Sequence, residues 1–278
     1  MKANLSYSWL FMKLFNLEKN MKFIKKVSVI IFCLFIISGI SSNSTLKNYY
    51  KSVDSASSAA LRKSLHKLIK KHKSYSYKKL WDILKDTDED PRNRNNVLLI
   101  YSGRSLPKHH NSGYNQKHKD YWNREHIWST SHGFKNKKSA AYTDVHHIRP
   151  ADRTINSSRG NKDFDEGGSL HHESARTRTD KDSWEPRDEV KGDVARMMFY
   201  MDIRYEGGGD VDLVLIDRTD TNGNYFGKLC TLYKWHFTDL PDDYEKLRNE
   251  KIYKWQKNRN PFIDNPVWVK DIWGDQCK

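Results

Sequence analysis

Cysteine is scarce in this chain. Cys33, Cys230 and Cys277 are the three present, so no framework of several disulfides can hold the fold together. Long apolar runs are missing as well. The run Val27–Ile40 falls short of the ~20 apolar residues that span a bilayer, which makes an uncleaved anchor its weaker reading. No internal repeat and no long linker interrupts the sequence, and apolar residues are on the low side at 37%. Against these absences stand nine Trp and fifteen Tyr, an aromatic content that fits a folded domain and not a disordered chain. At 278 residues the chain suits one large domain or two small ones.

Positive charge is in excess. The formal net charge of +14 favours a polyanionic partner, nucleic acid first and an acidic membrane surface second; a soluble protein that is merely basic stays open.

The first 42 residues read as a signal region. Lys22, Lys25 and Lys26 precede the apolar run, and Ser38, Gly39, Ser41 and Ser42 follow it, in the order of a secretory signal. Met21 opens a conventional signal, so residues 1–20 read as an over-extended start. Six Lys and one Glu leave with residues 1–42, which brings the net charge to +9. The domain expected is then 43–278, exported to the periplasm or the medium, monomeric, and without stable membrane association. Cys230 and Cys277 remain; they either pair or stay as two thiols.

Periodicity predicts a helix carrying Leu61, Leu65, Leu68 and Ile69, and a second carrying Leu80, Trp81 and Leu84. The acidic stretch Asp86, Asp88, Glu89, Asp90 has Pro91 where a calcium loop needs glycine, so it reads as an ordinary turn. Val97–Tyr101 reads as a buried strand, His171–Asp182 as an exposed polar stretch. A helix is expected from near Ser183, with Pro186 in its first turn and Met197, Met198 and Met201 as core. Val211–Ile216 alternates like a strand. Leu229–His236 and Tyr244–Trp255 suggest helices before a Pro-broken aromatic tail.

The chemistry concentrates in Tyr121–Phe164, which carries His126, His132, His146, His147, Glu125, Asp144, Asn156 and several arginines. Cleaving a phosphodiester needs a base for water, positive charge on the phosphoryl oxygens and a Lewis acid for the leaving oxygen. His126 suits the base, since an imidazole of ordinary pKa is mostly neutral at neutral pH. Glu125 and Asn156 are oxygen donors of the kind Mg²⁺ takes. Arg149 and Arg159 can fork onto phosphate. Val145–Arg149 reads as a strand ended by Pro150, with His147 and Arg149 on one face and His146 on the other; Ala151–Ser158 reads as a short helix displaying Asn156. Two strands and that helix make a β-β-α finger. Other readings stand beside these: His132 as a turn histidine, His146 and His147 with Asp144 as a zinc pair, Asn156 as a helix cap, Arg149 and Arg159 as buried ion pairs, and His171 and His172 as solvated.

The segments NREHIWSTSHGF, TDVHHIRPAD and INSSRGNKDF resemble the endonuclease I family of secreted and periplasmic bacterial nucleases, within the ββα-metal (His-Me finger) class. EPRDEVKGDVARMMFYMDIRY, NRNPFIDNP and the LLIYSG stretch extend the resemblance over roughly residues 57–268. It implies an α+β fold, with a ββα-metal core embedded in a mixed, largely helical single domain. It also implies His126 as general base, Glu125 and Asn156 as metal ligands, and Arg159 and Asn161 as members of the family's N-x-x-R-x-N run. Asp144 and His147 fall on motif positions that would orient the base or the ligands. Two cysteines cannot supply the several bridges that some members carry. The function implied is sequence-nonspecific cleavage of DNA, and of RNA as a second substrate, to 5′-phosphate products with Mg²⁺ or another divalent cation such as Mn²⁺ or Ca²⁺. A silent nucleic-acid-binding protein and a phosphoesterase for small or membrane phosphates are the alternatives.

Overall fold

The computed structural model describes residues 45–113, 118, 120–207 and 211–278; the expected signal region lies outside them. The chain divides into two compact units, 1–52 and 53–278. In the first, residues 45–49 are helical. Among the described residues no helix is long and apolar enough to cross a membrane.

The second unit mixes helix and sheet. Helix α1 (Ser58–Ile69) starts where the Ser57 side chain accepts from the Ala60 N–H, and it buries Leu61, Leu65 and Ile69 on one stripe. A short 3₁₀ turn, Tyr77–Lys79, leads into α2 (Leu80–Thr87), which buries Leu80, Ile83 and Leu84. Strands β1 (Glu89–Asp90), β2 (Asn93–Leu98) and β3 (Ser105–Pro107) form an antiparallel sheet. β2 therefore ends where the apolar run Val97–Tyr101 was expected to be strand. The Leu99 N–H turns to the carbonyl of Arg104 and the Gly103 N–H to that of Leu99, so Leu99–Tyr101 form a buried turn. Gly103, at φ +70°, permits the reversal.

The pair β4 (Trp122–His126) and β5 (Ile148–Asp152) is antiparallel and runs into helix α3 (Arg153–Arg159). β5 starts three residues later than expected, because Asp144 caps a 3₁₀ turn over Val145–His147 by accepting the His146 N–H. Pro150 lies inside the strand, not after it. Its carbonyl accepts from the Ile100 N–H, and a two-stranded sheet has an edge where its missing N–H goes unneeded.

A four-stranded sheet, ordered β6 (Asp163–Phe164), β9 (Ser183–Glu185), β8 (Ser174–Thr179), β7 (Ser169–His171), takes up the stretch expected to be exposed. The helix expected from Ser183 begins instead at Lys191 (α4, Lys191–Arg204). The Ser183 N–H and hydroxyl are held by the Asp180 carboxylate in a turn, and Pro186 follows the strand as a stop. α4 is the central helix. Met197, Met198 and Met201 lie in the core as expected, and its buried charges are paired, Arg196 with Glu245 at 2.6 Å. Val211–Ile216 contributes only β10 (Val214–Leu215), parallel to β11 (Tyr225–Phe226). Helices α5 (Leu229–Thr238), α6 (Asp243–Gln256), α7 (Pro261–Asp264) and α8 (Trp268–Trp273) close the unit. Cys230 and Cys277 form a disulfide between the start of α5 and the chain after α8. The aromatic tail packs back, with Phe262 and Trp273 against Phe199 of α4.

Candidate active site

Strand alternation sorts β4 into two faces. Asn123 and Glu125 share one, Arg124 and His126 the other. Glu125 is buried opposite Arg149 on β5. Its Oε1 accepts from the Tyr101 hydroxyl at 2.7 Å and lies 3.3 Å from the Arg159 guanidinium. Burial pushes the Glu125 carboxyl up, and Arg159 and Tyr101 oppose that shift. A carboxylate has about four lone-pair positions, so capacity for a cation remains.

His126, 9% exposed, ends β4. Its Nε2 lies 3.0 Å from the Tyr142 carbonyl. A carbonyl only accepts, so Nε2 carries the proton and Nδ1 keeps the lone pair. Among the described residues no side chain or backbone group pairs with Nδ1. Burial, with His147 nearby, pulls the imidazole down to about 3, so the ring is neutral at any ordinary pH. Tyr77 stacks on it at 5.9 Å, and Tyr142 and His147 pack at 4.9 and 5.5 Å.

Asn156 stands on α3. Its Nδ2 donates to Asn123 Oδ1 at 2.8 Å, and its own carbonyl oxygen, the kind of atom a hard cation takes, meets no donor among the described residues. Asn123 escaped the sequence reading, although its place two residues before Glu125 puts both on one face. Glu125 and Asn156 thus fit a divalent cation as two oxygen donors. Among the described residues no three His, Cys, Asp or Glu side chains gather into a metal cage.

Arg159 closes α3 and is buried. It donates to the carbonyls of His126 and Ile127 at 3.2 and 2.7 Å, over the rings of Phe164 and Phe226. It ties the end of β4 to the helix and sets Glu125 in place.

The remaining candidates lie elsewhere or act at a distance. Arg149 pairs with Asp88 at 2.6 Å and Asp193 at 3.1 Å, both buried, and their charges hold its pKa above the ordinary value against burial. Asp144 receives the hydroxyls of Tyr200 and Tyr205 at 2.8 and 3.0 Å and the Gln256 amide at 3.0 Å. Burial would raise its carboxyl, yet His72, His146 and Arg204 hold it below the usual range. Nε2 of His146 and Nε2 of His147 reach the carbonyls of Asn258 and Ala141, and among the described residues the two rings form no metal-holding cluster with Asp144. His147 still matters locally: its carbonyl accepts from the Ile127 N–H, next to His126. Asn161 has an exposed side chain, and its carbonyl faces His132, which bridges to Tyr225 as a structural turn histidine.

On the far side of Tyr77, which stacks on His126, a cleft of about 580 Å³ opens between the Tyr77–Trp81 segment and the strand-helix unit, lined by Lys78, Asn123, Arg124 and Arg153 among others. A neutral imidazole and two oxygen donors, with a cleft lined by cations close by, suit the attack of water on an anionic ester, the work of a phosphodiester hydrolase. Sequence comparison leads to the same place. The family described as Endonuclease I matches residues 57–267, and the chain belongs to it. It is 50% identical over 238 residues to an extracellular ribonuclease of Bacillus amyloliquefaciens, covering 84% of this chain and 81% of that protein. To an extracellular ribonuclease of Bacillus subtilis strain 168 it is 49% identical over 229 residues, covering 81% of this chain and 78% of that protein.

Proposed function

We propose that this protein is an exported, metal-dependent, sequence-nonspecific endonuclease whose β4-β5-α3 unit is a ββα-metal finger. The observation that carries the reading is His126 itself: Nε2 is committed to the Tyr142 carbonyl, Nδ1 meets no partner among the described residues, and Glu125 precedes it on the same strand end. Nδ1 takes the proton of a water that attacks phosphorus in line. Glu125 and Asn156 hold the cation, with Tyr101, Arg159 and Asn123 fixing their orientation. When bound, the cation supplies Lewis-acid charge for the leaving 3′-oxygen, and 5′-phosphate ends result. Mg²⁺ suits two oxygen donors that leave its other positions to water and phosphate; Mn²⁺ or Ca²⁺ are the alternatives.

The relatives' names favour RNA as a substrate alongside DNA. Backbone grip by Lys and Arg reads no base sequence, which fits a nonspecific enzyme. An open cleft suits a polymer better than a small phosphate ester. Arg149, held by Asp88 and Asp193, supports the strand pair from beneath and does not reach phosphate in this reading.

The test is cleavage of plasmid and of total RNA by the protein lacking residues 1–42, beside His126→Ala, with Mg²⁺ and with EDTA. Degradation stopped by both the substitution and the chelator supports the reading. Nucleic acid bound but never cut under any divalent cation overturns it.

A further inference from the structure

Arg124 shares a face of β4 with His126 and has no carboxylate partner among the described residues. Arg149 and Arg159 each lie against buried acids, whereas no ion pair joins Arg124 to any described residue. Its guanidinium is instead sandwiched between rings, 3.4 Å from the centroid of Tyr77 and 4.0 Å from that of Trp81, and it donates to the Tyr77 carbonyl. Nε is buried with no partner among the described residues. Tyr77 in turn stacks on His126, so Trp81, Arg124, Tyr77 and His126 stand as one column of planar groups that starts at the base.

Tyr77, Arg124 and Trp81 of the column line the 580 Å³ cleft, and Trp81 borders a second cleft of about 410 Å³ that Lys78 and Gly113 share. Gly113 lies so close to the Trp81 indole that a Cβ there would collide with it, which holds the ring at this boundary. Lys78, Lys79, Lys85 and Arg153 border the two spaces. Rings hold a guanidinium without neutralising it, so its full charge is left for an incoming anion.

We infer that Arg124 forms a phosphate subsite for the nucleotide next to the scissile bond of a single strand, with Lys78 and Arg153 on its rim and Trp81 beside the base. The inference rests on the nuclease reading of His126. A single strand is required because only an unstacked base can meet an aromatic side chain.

The test measures binding of a labelled single-stranded oligonucleotide and of its duplex to His126→Ala in EDTA, over a series of salt concentrations. Each phosphate contact on a single strand contributes about 0.7 to the slope of log affinity against log salt. Adding Arg124→Met is expected to weaken single-strand binding roughly tenfold, the loss of one charged contact, and to flatten the slope by about 0.7. Lys78→Ala with Arg153→Ala, both toward the surface, should flatten it by about 1.4 at an unchanged melting temperature, and this pair decides the matter if the Arg124 variant does not fold. Folded variants with unaltered slopes, in a protein whose wild type cleaves, overturn the subsite and leave the nuclease reading standing. Slopes that change equally for duplex and single strand overturn the single-strand assignment. A wild type that neither binds nor cuts overturns both.

Discussion

The Nε2 atom of His126 lies 3.0 Å from the carbonyl oxygen of Tyr142, and that distance fixes the tautomer of the ring. A proton on Nε2 forces the lone pair to Nδ1. His126→Ala should therefore lower cleavage about 10²- to 10⁴-fold, the usual worth of a positioned general base. Nucleic-acid affinity in EDTA should stay close to wild type. A variant that keeps its turnover would remove His126 from the chemistry.

Asn123 accepts from the Asn156 amide and so holds it in place. Asn123→Ala is expected to raise the divalent-cation concentration needed for half-maximal activity about 10- to 100-fold, as loss of an orienting partner does elsewhere. Saturating cation should restore turnover. A variant with lower turnover but an unmoved cation midpoint would make the bond merely structural.

Arg149 between Asp88 and Asp193 is a buried charge group, and removing the guanidinium takes one buried cation from each carboxylate, leaving Asp88 to Arg248 and Asp193 to Arg196. Arg149→Met should cost about 3–5 kcal/mol in urea unfolding. The KM of whatever fraction stays folded should not change. A raised KM at full stability would return Arg149 to the phosphate.

Acid should weaken the fold through its buried neutral histidines. Burial pulls His146 down to about 3 and His147 and His236 to about 4, while in the unfolded chain each titrates near 6.5. Between those values the unfolded state binds protons that the folded state refuses. This contribution to stability is complete above pH 6.5 and is lost as pH falls through 4 to 3. A melting temperature that holds flat from pH 7 to pH 4 would contradict it.

The helices were largely legible in the sequence, because apolar spacing reports one buried face directly: Leu61, Leu65 and Ile69 sit inward as their period required. Strand limits were not. Val97–Tyr101 is apolar enough for strand throughout, but the bonds around Leu99 and Gly103 break it, and Asp144 turns Val145–His147 into a 3₁₀ cap. Local turn chemistry overrode the apolar pattern in both places. Within the candidate site, Glu125, His126 and Asn156 could be named because they lie in dense motifs. The fate of Arg149 could not, since Asp88 and Asp193 reach it from distant parts of the chain. The same holds for Arg124, whose flanking rings come from Tyr77 and Trp81. Cys230 and Cys277 left pairing open by sequence alone, and folding brings their Cα atoms to 5.2 Å.

That bond makes residues 230–277 a covalent ring holding α5 through α8. A protease that nicks any one peptide inside it releases nothing: both ends stay attached to the same molecule until the sulfurs are reduced. The final fifth of the domain can thus be cut once and stay covalently attached.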